Sequence, residues 1–298
     1  MYRIIEKRNY LFALSLALLI PGVIGLVVWG LRLGIDFTGG SVLTIRLPSA
    51  VTVDQIATSL AGVSPGEINV QSAGEASAII RLPFITSEQH QALLDKLKKT
   101  FPAADELSFE TVGPTIGGEL KQRAITALAL VLLAIIIYIT WAFRKVSVGP
   151  VPSWVYGLSA LLALVHDVLM VIGAFAVLGH FFNVEINALF VTALLTVLGF
   201  SVHDTIVVFD RVRERLRTSA AQTFEAIVNE SLNQTLIRSI NTSFTTVLVL
   251  VALYLFGGQT VKYFVLALII GITSGTYSSI FVASPLLVVY ERWKARRR

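Results

Sequence analysis

Six stretches of this chain are long and apolar enough to cross a bilayer, and no other feature limits its fold so strongly. They run from about Leu11 to Leu31, Ala124 to Phe143, Val151 to Leu178, Ile186 to Phe209, Ile240 to Phe256 and Tyr263 to Tyr290. A helix rises about 1.5 Å per residue, so roughly 20 residues cross the ~30 Å hydrocarbon layer. Charged residues make up only 14% of the 298, against about 25% in a soluble domain. The chain therefore reads as an α-helical polytopic membrane protein with six transmembrane helices. Arg3, Lys7 and Arg8 precede the first run as they would in a signal peptide. That run is long, however, and no small-x-small cleavage site clearly follows it, so a retained helix is expected.

Lys and Arg near helix ends and in short loops stay on the cytoplasmic side. With both termini inside, the N-terminus, Arg144 and Lys145, the Asp210 to Arg238 segment and the tail ERWKARRR hold fifteen of the 24 basic residues. The short outer loops, Gly179 to Glu185 and Gly257 to Lys262, hold one. The net charge of +5 is thus a topology signal. It points to no nucleic acid; anionic lipid is a generic partner for the tail.

The expected organisation is a cytoplasmic N-terminus with helix 1 (1–31), an outer domain (32–122), helices 2 to 6 with a cytoplasmic segment near 210–238 (123–290), and a basic tail (291–298). A loop of about ninety residues is too long to lack structure of its own. Within it, Ser41 to Leu47 alternates like a strand and Thr52 to Gly62 reads as a short helix. EINVQS and SAIIRLPF form two strands joined near Gly74 and Glu75. TSEQHQALLDKLKKTF is an amphipathic helix, and ELSFETV is a fourth strand. The order βαββαβ is that of a ferredoxin-like α+β extracytoplasmic domain between helices 1 and 2.

The chain lacks a phosphate-binding G-x-x-x-x-G-K-[ST] loop, H-E-x-x-H, G-x-S-x-G and any cysteine. It is expected not to be an enzyme and to use no cofactor or metal. What remains is a set of polar residues inside apolar runs. An aspartate at a helix centre costs about 2.5–3.5 kcal/mol on insertion scales, so it is seldom there without a partner or a task.

Two His-Asp pairs stand out, His166-Asp167 in the third run and His203-Asp204 in the fourth. Either pair could act as polar glue between helices, a reading that weighs more for Asp167. Ser201, Asp204 and Thr205 share a helical face, beside a stripe of Thr192, Thr196, Gly199 and His203. Gln234, Arg238, Asn241, Thr242 and Thr245 follow one face of the fifth helix. Arg238 is either an ordinary positive-inside anchor or the partner of Asp204 in an ion pair that a proton can break. In the sixth helix Gly271, Gly275 and Ser279 have small-xxx-small spacing, the pattern of close helix packing, and Pro285 should disturb the helix nearby.

Read together, six blocks carry a resemblance over essentially the whole chain. GIDFTGG (Gly34 to Gly40), VGPTIGGEL (Val112 to Leu120), the HD of the third helix, DTIVVFDRVRE, QTLIRSINTSFTT and GTYSSIFVASPLL resemble the signature blocks of the SecF family. This family is the smaller membrane component of the SecD-SecF protein-export complex, related to the resistance-nodulation-division transporters. The resemblance implies a bacterial inner-membrane protein that uses a proton gradient, or sodium in some bacteria, to help draw preproteins outward late in Sec-dependent export. It implies SecD, the SecYEG channel with its SecA ATPase, YajC and unfolded preprotein as partners.

It further implies ion coupling at Asp204 and Arg238, with His203 and Asp167 as further polar positions and Ser201, Thr205, Asn241 and Thr242 along the path. Gly34, Asp36, Gly39, Gly40, Gly113, Pro114 and Gly117 would form hinges for the outer domain, or simple tight turns. The rival readings are a half-transporter of the resistance-nodulation-division type that exports small molecules or lipids, and a Sec scaffold without ion coupling.

Overall fold

The structure, a computed structural model, describes residues 2–47, 52–60, 68–72, 77–144, 150–218 and 222–297. The expected turn near Gly74 and Glu75, and Lys145, lie outside the described residues. The chain divides into two compact units, Met1–Arg32 with Thr126–Arg298, and Leu33–Ile125.

The first unit is helical. It comprises α1 (Arg8–Trp29), most of α5 (Pro114–Ala142), α6 (Ser153–Phe182), α7 (Ala188–Thr218), α8 (Phe224–Phe256), α9 (Gln259–Ser278) and α10 (Ser284–Ala295). A five-residue π-turn, Ser279–Ala283, joins α9 to α10 without breaking the helical path. Counting α9 to α10 as one span, six helices among the described residues are long and apolar enough to cross a membrane.

Several of these helices outrun the apolar stretches. α7 continues to Thr218, and α8 begins at Phe224, sixteen residues before Ile240. Thr223 caps that early start by accepting the Ala226 N–H at 3.3 Å. The segment 210–238 is thus largely the helical ends of α7 and α8, with 219–221 outside the described residues.

Charge gathers at this end of the bundle. Glu225 pairs with Arg8 of α1 and Arg292 of α10, and Glu230 pairs with Arg215 of α7. Beneath these pairs, Ile5, Phe143, Tyr156, Phe209, Leu232 and Leu287 join one buried apolar cluster. Near the middle of α1 and α6, Gly22 and Gly173 meet backbone to backbone: a Cβ on Gly173 would lie 2.7 Å from the Gly22 Cα. Such contact is how helices associate where lipid removes the hydrophobic driving force.

The second unit holds α2 (Ile35–Thr38), β1 (Gly40–Arg46), α3 (Val53–Leu60), β2 (Asn69–Ser72), β3 (Ser77–Leu82), α4 (Ser87–Thr100) and β4 (Asp105–Val112). The sheet is antiparallel in the order β2-β3-β1-β4, with Ser41 opposite Leu82 on one side and Thr111 on the other. Alternation along β1 and β3 buries Leu43, Ile45, Ala78 and Ile80 against Ile56 and Leu60 of α3 and Leu93 and Leu97 of α4. Each fully buried aliphatic side chain contributes about 2 kcal/mol. Thr86 and Gln89 close a capping box at the start of α4.

The two glycine-rich motifs lie against each other within this unit. Gly39 has φ 73° and Gly40 φ 133°, conformations that L side chains rarely adopt. A Cβ on Gly39 would sit 2.6 Å from the Pro114 Cα, and one on Gly117 2.8 Å from the Gly39 N. Gly34 is the extended residue before α2, Asp36 lies in its first turn, and Pro114 opens α5 just after Gly113. Here the glycines serve a close backbone approach as well as a turn.

Candidate functional site

α9 lies between α6, α7 and α8, and its small residues let it come close. A Cβ on Gly271 would fall 2.2 Å from a Val197 methyl, and one on Gly275 2.7 Å from the Ser201 Cβ. Ser279, one turn on, meets the Thr205 hydroxyl of α7 at 2.8 Å and lies 3.2 Å from the Ser201 carbonyl. Gly271, Gly275 and Ser279 thus all face α7, and around this contact lie the two intramembrane aspartates.

Asp167 is fully buried. Its Oδ1 accepts from His166 Nδ1 at 3.0 Å and Ser274 Oγ at 2.8 Å. Its Oδ2 accepts from Ser201 Oγ at 2.6 Å and Ser278 Oγ at 2.7 Å. Four donors fill the roughly four acceptor sites of a carboxylate. The far nitrogen of His166 meets Ser15 Oγ of α1 at 2.7 Å. One carboxylate therefore ties α6, α7 and α9 together directly, and α1 through the imidazole.

Asp204 is buried too, at 3% exposure, but its contacts are long: Thr276 Oγ1 at 3.3 Å and Ser243 Oγ at 3.5 Å, both to Oδ2. These donors are also contested. The Thr276 hydroxyl lies 3.1 Å from the Ile272 carbonyl and in a short contact with Ser243. Each hydroxyl carries one proton, so the two cannot serve every acceptor offered to them. One turn before Ser243, the buried hydroxyl of Ser239 is near enough to act on the Asp204 carboxyl, yet it completes no hydrogen bond among the described residues.

Arg238 and Asp204 are not paired. Arg238 is exposed and makes no ion pair among the described residues, while Ser239 and Ser243 form the buried face of α8. At 100° per residue Arg238 stands about 100° round from Ser239 and about 140° from Ser243, away from the carboxylate. His203 is exposed, as are Thr192, Thr196 and Gly199 of its stripe. Gln234, Arg238, Asn241, Thr242 and Thr245 are exposed along α8. Ser201 and Thr205 are buried, Ser201 serving Asp167 rather than Asp204.

Reading the sequence alone missed Ser15, Ser274 and Ser278 at Asp167, and Ser239, Ser243 and Thr276 at Asp204. Serine is common in membrane helices. The available signal was the i, i+4 pair Ser274 and Ser278 in a helix facing an aspartate.

Carboxylates held by hydroxyls inside a six-span bundle define a membrane protein with polar machinery at its centre, and the comparisons with known proteins say which. Residues 92–293 match the C-terminal part of the protein export membrane proteins SecD/SecF, and residues 24–47 match the SecD/SecF GG motif. The chain is 50% identical to the protein translocase subunit SecF of Thermobaculum terrenum, over 98% of this chain and 94% of that one. To the SecF subunit of Anaerolinea thermophila it is 42% identical over the same shares. Its fold superposes on the crystal structure of SecDF from Thermus thermophilus with a TM-score of 0.85 at 34% identity. That match covers 98% of this chain but 39% of SecDF. The chain belongs to the SecD/SecF family of protein export membrane proteins, as a SecF-type translocase subunit with a multi-pass membrane location.

Proposed function

We propose that this subunit uses an ion gradient, of H⁺ or Na⁺, to assist late stages of Sec-dependent preprotein translocation across the bacterial inner membrane. Asp204 is the ion-carrying group, and its long, contested hydrogen bonds are the observation that carries this reading. A buried carboxylate with spare acceptor capacity, ringed by hydroxyls that reach it only loosely, gains most from binding a proton or a small cation. The transmembrane potential supplies about 2.3 kcal/mol per charge per 100 mV, so no nucleotide, cofactor or enzymatic step is needed.

Both termini lie in the cytoplasm, in line with the basic residues at the α1, α7, α8 and α10 ends. The unit Leu33–Ile125 is extracytoplasmic and ferredoxin-like, a reading supported by its element order and its β2-β3-β1-β4 sheet. SecD is the partner, since the matched SecDF chain is longer than this one by more than half its length. SecD covers the exposed polar stripes of α7 and α8, because lipid would leave Arg238 and Asn241 unsatisfied. The SecYEG channel with SecA, YajC and the unfolded preprotein complete the partner set, and lipid meets the basic tail.

Replacing Asp204→Asn in membrane vesicles tests the reading: gradient-dependent completion of preprotein export should be lost while nucleotide-driven initiation continues. Unchanged gradient dependence would leave only the scaffold role. Altered efflux of small molecules, with no co-purifying SecD or SecYEG, would favour the half-transporter instead.

A further inference from the structure

Asp167 and Asp204 grip the same turn of α9 from opposite sides. Ser274 and Ser278 both donate to Asp167, whereas Thr276, between them in sequence, donates to Asp204. At 100° per residue the two serines lie about 40° apart and the threonine about 160° to 200° from them. The turn 274–278 is therefore a bar with one aspartate on each side. Immediately beyond it the helix passes into the π-turn Ser279–Ala283, where the Ser284 hydroxyl donates five residues back to the Ser279 carbonyl at 3.0 Å. Pro285 follows and has no N–H to give. π-turns of this kind cluster at functional sites and are points where a helix can change register.

We propose that Asp167 is a positioning residue for ion coupling: by holding Ser274 and Ser278 it sets where Thr276 meets Asp204. The inference rests on the reading of Asp204 as the ion-carrying group. When an ion binds Asp204 and the Thr276 contact changes, α9 either stays fixed on Asp167 or moves against it. The π-turn is the segment that yields. Ser201 makes the link tighter, because α7 carries both the Asp167 contact and Asp204 one turn apart.

The chain contains no cysteine, so the position of Thr276 can be read by oxidative cross-linking of a Ser243→Cys/Thr276→Cys pair in the full-length chain in native membranes. Ser274→Ala with Ser278→Ala releases α9 while leaving Asp167 bonded to Ser201 and His166. This double variant should slow cross-linking by about fivefold, the size of coupling typical between linked sites. Asp167→Asn alone, in a chain that retains both serines and so keeps an acceptor and a donor for them, should leave cross-linking near the parent rate.

Export is measured separately in the cysteine-free chain. The serine variant should shift the ion concentration at half-maximal gradient-driven export, and Asp167→Asn should shift it less. Cross-linking unchanged in the serine variant would overturn the proposal, as would a loss that merely tracks a fall in unfolding temperature. Loss of export in Asp167→Asn with cross-linking intact would also overturn it, since Asp167 would then act through its own charge. If Asp204→Asn keeps gradient-dependent export, the functional reading fails while the cross-linking result still judges the positioning.

Discussion

Asp167 and Asp204 are the same residue type, each follows a histidine, and each is buried in a membrane-spanning helix, yet their surroundings differ in kind. Asp167 receives four hydrogen bonds of 2.6–3.0 Å from three helices, and Asp204 receives two of 3.3 and 3.5 Å from hydroxyls that other acceptors compete for. His166 turns inward to join its aspartate and Ser15, whereas His203 faces out. A saturated carboxylate gains little from another ligand and loses much if its donors are stranded. An under-satisfied one has the opposite balance. The contrast separates a group whose acceptor sites are filled by three helices from one whose acceptor capacity is left open.

The sharpest way to break this comparison is to remove each carboxylate by a near-isosteric apolar residue. Asp167→Leu strands the Ser201 and Ser274 hydroxyls and the His166 N–H, leaves Ser278 only the Gly275 carbonyl at 3.2 Å, and should destabilise the bundle by about 3–5 kcal/mol, at about 1–3 kcal/mol for each buried group left unsatisfied. Asp204→Leu removes only long bonds and should cost about 1 kcal/mol or less. Thermal unfolding in detergent measures both, and equal losses would dissolve the distinction. Next in size is the helix contact that both aspartates need. Gly275→Val would drive a side chain into Ser201 and should cost about 1–3 kcal/mol by overpacking. Because α9 would be pushed off α7, the Asp167 and Asp204 contacts should loosen together; intact export in this variant would mean that neither contact requires the close approach.

Much of this was legible in the sequence, for physical reasons that also mark where legibility stopped. Six apolar runs and the alternation of Ser41 to Leu47 report burial directly, and the described residues include six long apolar helices and a small antiparallel sheet. The helical extension of α8 back to Phe224 was hidden, because hydropathy marks where lipid begins rather than where a helix does. Both aspartates were visible as costly intrusions in apolar stretches. Their partners were not, since Ser274, Ser278 and Ser243 sit in helices whose rotation and neighbours are set by tertiary packing.

The same limit explains the expected pairing of Asp204 with Arg238. Gln234, Arg238, Asn241, Thr242 and Thr245 do share a face, as their spacing requires, but it is the exposed face of α8 and not the one toward α7. The glycine motifs read in sequence as hinges of the outer domain or as simple tight turns, and Gly39 and Gly40 have positive φ. That they press on Pro114 and Gly117 needed the fold.

Ser239 offers the finest test of the comparison. Its buried hydroxyl lies near Asp204, on the face of α8 that carries Ser243 one turn away, and completes no hydrogen bond among the described residues. Removing an unbonded buried hydroxyl releases a desolvation cost, so Ser239→Ala should leave stability within about 0.5 kcal/mol of the parent or raise it slightly. The same change at Ser278, which bonds Asp167 at 2.7 Å, should destabilise by about 1–2 kcal/mol. If Ser239 is kept to meet an ion at Asp204, its alanine variant should need a higher ion concentration for half-maximal gradient-driven export while folding normally. A variant unchanged in both stability and ion dependence would show that the spare hydroxyl has no part in coupling, and would leave Thr276 and Ser243 as the only hydroxyls assigned to Asp204.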